Sequence, residues 1–152
     1  MSCQGFSVVL VLLIAAPAVG EVTKASRGRM MWSAFECAAY AQLAGNKDQQ
    51  KRLFELGYRE GKAFLDAAVS GSLSQAERDD TPVGVLFSLG GPSIDFMLGH
   101  IYANASQVAF DTVVKQESDG TPIHDPLKWA QGDLQRRRAE QKFRSSNCTL
   151  IK

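Results

Sequence analysis

The chain has 152 residues, with 17 basic and 16 acidic side chains, a net charge of +1 and 45% hydrophobic residues. That composition describes an ordinary globular domain, and it excludes a nucleic-acid binder held by a global positive field and a disordered chain alike. Two histidines and three cysteines leave the common metal and acid-base arrangements short of material, so no cofactor or metal is expected.

Residues 1–20 contain an apolar run, Phe6 to Ile14, followed by the small-residue stretch Ala15-Ala16-Pro17-Ala18-Val19-Gly20. This is the pattern of a secretory signal peptide. The run is too short to span a bilayer, which needs about 20 apolar residues, and polar Glu21, Thr23 and Lys24 follow at once. Export without a transmembrane anchor is therefore expected. Cleavage before Glu21 places Ala18 and Gly20 at the small-residue positions, with cleavage after Ala18 as the alternative, and residues 21–152 form one domain. Cys3 leaves with the signal. Cys37 and Cys148 remain, and two thiols in an oxidising compartment are expected to pair.

The first helix is expected from about Gly28 to Ala44, with Trp32, Phe35, Ala39 and Leu43 at helical spacing and Cys37 and Tyr40 widening the stripe. Gly45-Asn46 ends it. Asn46 is also the natural N-cap of a second helix, from Lys47 to Val69, whose opening residues through Arg52 look exposed. Its stripe is Phe54, Gly57, Tyr58, Gly61, Phe64, Leu65 and Ala68. Glycine costs about 1 kcal/mol relative to alanine inside a helix, so Gly57 and Gly61, beside Tyr58, are assigned to close packing against another backbone.

Ser74-Gln75-Ala76-Glu77 has the form of a capping box. Thr81-Pro82 signals a further start, with Thr81 as N-cap, and Val83 to Leu89 reads as a short buried helix. The longest helix follows from Pro92 to about Gln116, with Ile94, Leu98, Ile101, Ala105, Val108 and Thr112 as its inward stripe. Ser93 and Asp95 are expected to satisfy the start of that helix themselves, and His100 to be a partly buried packing residue. Asp125-Pro126 opens a last helix to about Arg144, with Leu127, Ala130 and Leu134 inward and Trp129 and Phe143 as anchors. No segment reads as a strand. The fold class is all-α, a compact bundle of about four to five helices with one disulfide.

Sites are sparse. There is no His-Glu-x-x-His, Cys-x-x-Cys, Walker loop or Gly-x-Ser-x-Gly. Glu36, Glu55, Glu60 and Asp66 are dispersed, whereas glycoside hydrolysis needs two acids, one in apolar surroundings. Glu36, beside Cys37, has the most apolar neighbours. The last helix is locally basic: Lys128, Arg136, Arg137, Arg138, Lys142 and Arg144 face only Asp133 and Glu140. Lys128, Trp129, Arg136, Arg137 and Arg138 are the candidate binding residues, since aromatic side chains beside cations are common material of binding hot spots.

The segments Trp32 to Tyr40 (WSAFECAAY), Leu56 to Asp66 (LGYREGKAFLD), Gly90 to Ser106 (GGPSIDFMLGHIYANAS) and the tail Asn147-Cys148 resemble those of small exported proteins of Gram-negative bacteria and their prophages, a group without an assigned activity. The resemblance implies a periplasmic setting. More loosely, Gly57-Tyr58-Arg59-Glu60-Gly61 through Asp66 is similar to the Gly-Tyr-x-x-Gly helix of secreted immunity proteins of the Tai type, which neutralise effectors delivered by type VI secretion. The expected function is an exported helical binding protein, of the immunity or inhibitor kind, acting on a protein partner in the periplasm. A small cell-envelope hydrolase and a structural envelope protein using the basic helix against anionic lipid are the alternatives.

Overall fold

The computed structural model describes residues 23–152; the signal-peptide reading of residues 1–20 lies outside the described residues. Four long helices carry the fold: α1 (Lys24–Leu43), α2 (Lys47–Val69), α5 (Ile94–Val114) and α6 (Gly132–Ser145). Two short ones, α3 (Gln75–Asp79) and α4 (Val83–Leu86), fill the link between α2 and α5. No helix among the described residues is long and apolar enough to cross a membrane.

Helix α1 begins earlier than its apolar pattern suggests, because the Thr23 side chain accepts from Ser26 N and caps the chain there. It is apolar over most of its circumference, which suits a helix enclosed by neighbours: α1 runs along α2 and packs against α5 and α6. The core divides along its length. Met31 and Phe35 pack with Phe64, Leu65, Leu98 and Ile101 in one half. Cys37 and Tyr40 pack with Leu53, Val113, Phe143 and Cys148 in the other. Each phenylalanine fully buried in the first half contributes about 1.5–3 kcal/mol.

Helix α2 has the expected limits, set by the Asn46 side chain accepting from Gln49 N. Its inward face is rotated from the expected stripe, however: Leu53 and Leu56 are buried, while Phe54 and Tyr58 lie at its edge, 39% and 37% exposed. The capping box at α3 forms, with Ser74 and Glu77 satisfying each other's backbone N–H groups.

Several expectations about the later chain are corrected. Thr81 does not cap α4; its hydroxyl donates to Glu77 O, and Pro82 holds the cap position without a side-chain bond. Helix α4 is not a buried element, since only Val85 is enclosed and Phe87 is 84% exposed. The segment is held by the buried Ser88, whose hydroxyl donates to Gly84 O and accepts from Asn104 Nδ2 of α5. Along α5 the buried face is Met97, Leu98, Ile101, Ala105, Ala109 and Val113. Val108 is exposed, and so is His100; a helix apolar on several sides lets tertiary contacts choose the face.

The last helix is shorter than expected. Asp125 caps only a 3-10 turn, Pro126–Lys128, because Ala130 is drawn into the core, where its N–H donates to Val114 O at the end of α5. The chain extends at Trp129 and restarts at Gly132, whose φ of +55° favours glycine. Leu127 is consequently 91% exposed instead of inward, and Leu134 is exposed too.

Candidate binding surface

Cys37 of α1 and Cys148 after α6 are joined in a disulfide, with Cα atoms 5.6 Å apart. The tail beyond α6 has a second tie. Arg52 of α2 donates through Nη2 to Cys148 O (3.0 Å) and through Nη1 to Ile151 O (2.7 Å), and Gln49 Oε1 accepts from its Nε. Arg52 thus belongs to the interior of the contact between α2 and the tail, not to the exposed opening of its helix.

The Gly57-to-Gly61 segment is a packing device. A Cβ at Gly57 would meet the Phe35 ring at 2.5 Å, and one at Gly61 would meet Met31 Sδ and Leu98 Cδ2 at 2.5 Å. Side chains of α1 and α5, not a neighbouring backbone, therefore occupy the space the glycines leave. Glu60 pins the same stretch to α1 by accepting from Arg27 at 2.8 Å, with Arg59 at 3.1 Å.

The candidate basic site is divided by the fold. Trp129 is half-buried, its indole N–H donating to Ile123 O and its ring lying 5.0 Å from the Lys115 ammonium. It braces the loop after α5. Arg136 is occupied on its own helix by Asp133 and Glu140. Arg138 reaches back to Gln116 O (2.6 Å) and Glu117 (2.7 Å). Arg137 and Lys128 are exposed, and among the described residues neither has an ion pair. The basic face is therefore weaker than the count of arginines implies.

Among the described residues the carboxylates do not assemble a catalytic pair in apolar surroundings. Glu36 accepts from the Tyr40 hydroxyl at 2.7 Å and lines a groove of about 460 Å³ in which it is the only acid among the described residues. Burial, followed by the adjacent Glu36, pushes the Tyr40 phenol far above its ordinary value. A larger cavity, about 630 Å³, between the α1–α2 turn and α6 contains Asp48 and Glu140. Glu140 is engaged by Arg136, and exposed Asp48 sits in the first turn of α2, where free backbone N–H groups favour a negative charge. Among the described residues no group of three or more His, Cys, Asp or Glu side chains could hold a metal.

The most distinctive surface lies between α2 and α5, where the sequence pattern places Phe54 and Tyr58 on the inward stripe of α2 and Asp95 at the start of α5. Phe35 forms its buried floor, Phe54 and Tyr58 come from α2, and Leu98, Gly99 and Tyr102 come from α5 around a cavity of about 300 Å³. The rings are fixed against one another. Tyr102 meets Phe35 and Phe54 edge-on at centroid distances of 5.3 and 5.1 Å, and Phe54 stacks beside Tyr58 at 6.4 Å. Among the described residues Asp95 is the only charged one lining this space, and its Oδ1 accepts from the Tyr58 hydroxyl at 2.8 Å. That hydrogen bond, together with the carboxylate's charge, raises the Tyr58 phenol above its ordinary value. The spacing of Phe54 and Tyr58 on one helix was visible in the sequence; their meeting with Tyr102 and Asp95 depends on how α5 crosses α2.

Comparison with known proteins found no match: no family model fits the chain, and no curated protein or solved structure matches it.

Proposed function

We propose that the protein is an exported helical binding protein, of the immunity or inhibitor kind, that captures a protein partner through the aromatic surface between α2 and α5. The observation that carries this reading is the half-exposed pair Phe54 and Tyr58 beside a small, nearly wholly apolar cavity. Rigid aromatic side chains around a desolvated pocket are typical anchors of protein interfaces. Arg137 and Lys128 are exposed and, among the described residues, without an ion pair, so they are cations available to the partner. Export rests on the run from Phe6 to Ile14 and the small residues after it.

The test is affinity capture from periplasmic extract with two variants beside the wild type. Phe54→Ala with Tyr58→Ala should abolish recovery of a specific protein while helicity is retained, and Arg137→Ser should weaken it modestly. Equal recovery by the aromatic double variant would reject this surface as the contact. Turnover of peptidoglycan by the purified protein, abolished by Glu36→Gln or Asp48→Asn, would replace the binding reading with the hydrolase.

A further inference from the structure

Gly99 lies in the middle of α5, in a helical conformation that any residue adopts, and costs the helix about 1 kcal/mol relative to alanine. Unlike Gly57 and Gly61, it is not required by packing: a Cβ built there meets nothing within 4 Å. The open space beside it adjoins the cavity that Gly99 lines together with Phe35, Phe54, Tyr58 and Tyr102. A volume of about 300 Å³ is at the lower limit of ligand sites and suits one side chain better than a cofactor.

The walls specify the chemistry of that occupant. Aromatic faces carry negative quadrupoles that attract a cation within about 6 Å of the ring centre. The sole charged wall, Asp95, is anionic, and while its Oδ1 is engaged by Tyr58, its Oδ2 has no hydrogen-bond partner among the described residues. Phe54 and Tyr102 offer apolar ring surface to an alkyl stem, and the buried Phe35 and Leu98 behind them fix them in place. We propose that this pocket receives a lysine side chain of the protein partner, its methylenes against Phe54 and Tyr102, its ammonium at the aromatic rim and bonded to Asp95. The proposal rests on the binding function above and names the feature by which the partner is recognised. An uncharged aliphatic side chain would gain the apolar contacts but leave Asp95 Oδ2 without a partner, and a quaternary amine could use the rings but donate no hydrogen bond to the carboxylate.

The test is an amide NMR titration of the isotope-labelled exported protein with N-acetyl-lysine N-methylamide, its norleucine analogue, and choline. The lysine probe should shift the signals of Tyr58, Asp95, Gly99 and Tyr102, saturate in the millimolar range, and weaken as salt is raised. Norleucine and choline should each bind at least about fivefold more weakly, as expected when the charge or the hydrogen bond to the carboxylate is lost. Asp95→Asn should weaken lysine by a similar factor. Gly99→Leu should abolish the shifts at an unchanged or higher melting temperature, because the added side chain fills open space. Norleucine binding as tightly as lysine would overturn the proposal in favour of a plain apolar socket, and tighter choline binding in favour of a small-molecule amine site. Absence of shifts, or their persistence in Gly99→Leu, would overturn it outright. If Gly99→Leu still captures the partner, the pocket assignment fails and the binding function stands; if lysine titrates but the wild type captures nothing, the reverse holds.

Discussion

Replacing Gly57 by alanine sets two effects of opposite sign against each other. Helix propensity favours alanine by about 1 kcal/mol. Against this, the new Cβ falls 2.5 Å from Phe35 Cδ1 and 2.7 Å from Cε1. The ring cannot step aside cheaply, because it is 1% exposed and lies between Phe54 and Tyr102, at centroid distances of 5.8 and 5.3 Å. Overpacking of such a core costs about 1–3 kcal/mol, and with a rigid ring the upper part of that range applies, so Gly57→Ala should lose about 1–2 kcal/mol net. At Gly61 the clashing atoms are the flexible ends of Met31 and Leu98, so Gly61→Ala should cost less, about 0–1 kcal/mol, while Gly61→Leu should exceed it by overpacking. Gly99→Ala, with no atom in reach, should gain about 1 kcal/mol. Urea unfolding with an unchanged slope measures all four, and each kcal/mol corresponds to about 3–5 °C in melting temperature for a domain of this size. Stabilisation by Gly57→Ala equal to that by Gly99→Ala would refute the reasoning, since it would mean that the Phe35 ring does not occupy the space beside α2.

Alkylation followed by intact-mass analysis should find Cys37 and Cys148 blocked in natively exported protein. Replacing both by alanine should cost up to about 5 kcal/mol, the chain-entropy value for a link across a sequence separation of 111; two alkylated thiols would contradict the pairing. Arg52→Ala removes both donors to the tail and should cost about 1–3 kcal/mol, with faster reduction of the disulfide by dithiothreitol as the specific readout. Spectroscopic titration should find the Tyr58 phenol ionising above its ordinary range, and Asp95→Asn should bring it down. Because the raised folded value means that the native state holds its proton longer, this preference adds stability below the ordinary phenol range near pH 10 and is lost as pH rises through the folded value.

What was legible in the sequence was whatever local chemistry decides. The α2 limits followed from Asn46, the turn at α3 from the Ser74–Glu77 box, and the all-α class from helical spacing without strand patterns. Long-range contacts decided the rest. Asp125-Pro126 is a sound start signal, yet it produced a single 3-10 turn because Ala130 N found Val114 O sixteen residues upstream in the chain. The face of α5 was ambiguous because Val108 and Val113 are both apolar; packing buried the second and left the first exposed. Arginine count likewise overstated the basic surface, since nothing in the spacing of Arg138 announces its bonds to Gln116 and Glu117.

The aromatic pocket was hidden for a related reason. Phe54 and Tyr58 on α2 read as core because large apolar side chains at helical spacing usually are, and Phe54 does meet the buried Phe35 while Tyr58 stacks beside it. What separates them from core residues is the helix opposite: where Leu98 closes the space beside Gly61, Gly99 leaves it open beside the rings. Gly57, Gly61 and Gly99, like Gly28 of α1, thus break the same local rule, and the atoms around them set Gly99 apart. Phe35, Met31 and Leu98 account for Gly57 and Gly61 by filling the room provided. Among the described residues no atom lies within 4 Å of a Cβ built at Gly99, so its cost to α5 has no compensation in packing there. A position that sacrifices helix stability for empty space, beside preorganised rings and a carboxylate with one oxygen unpartnered, is where contact with another molecule would restore the missing interactions.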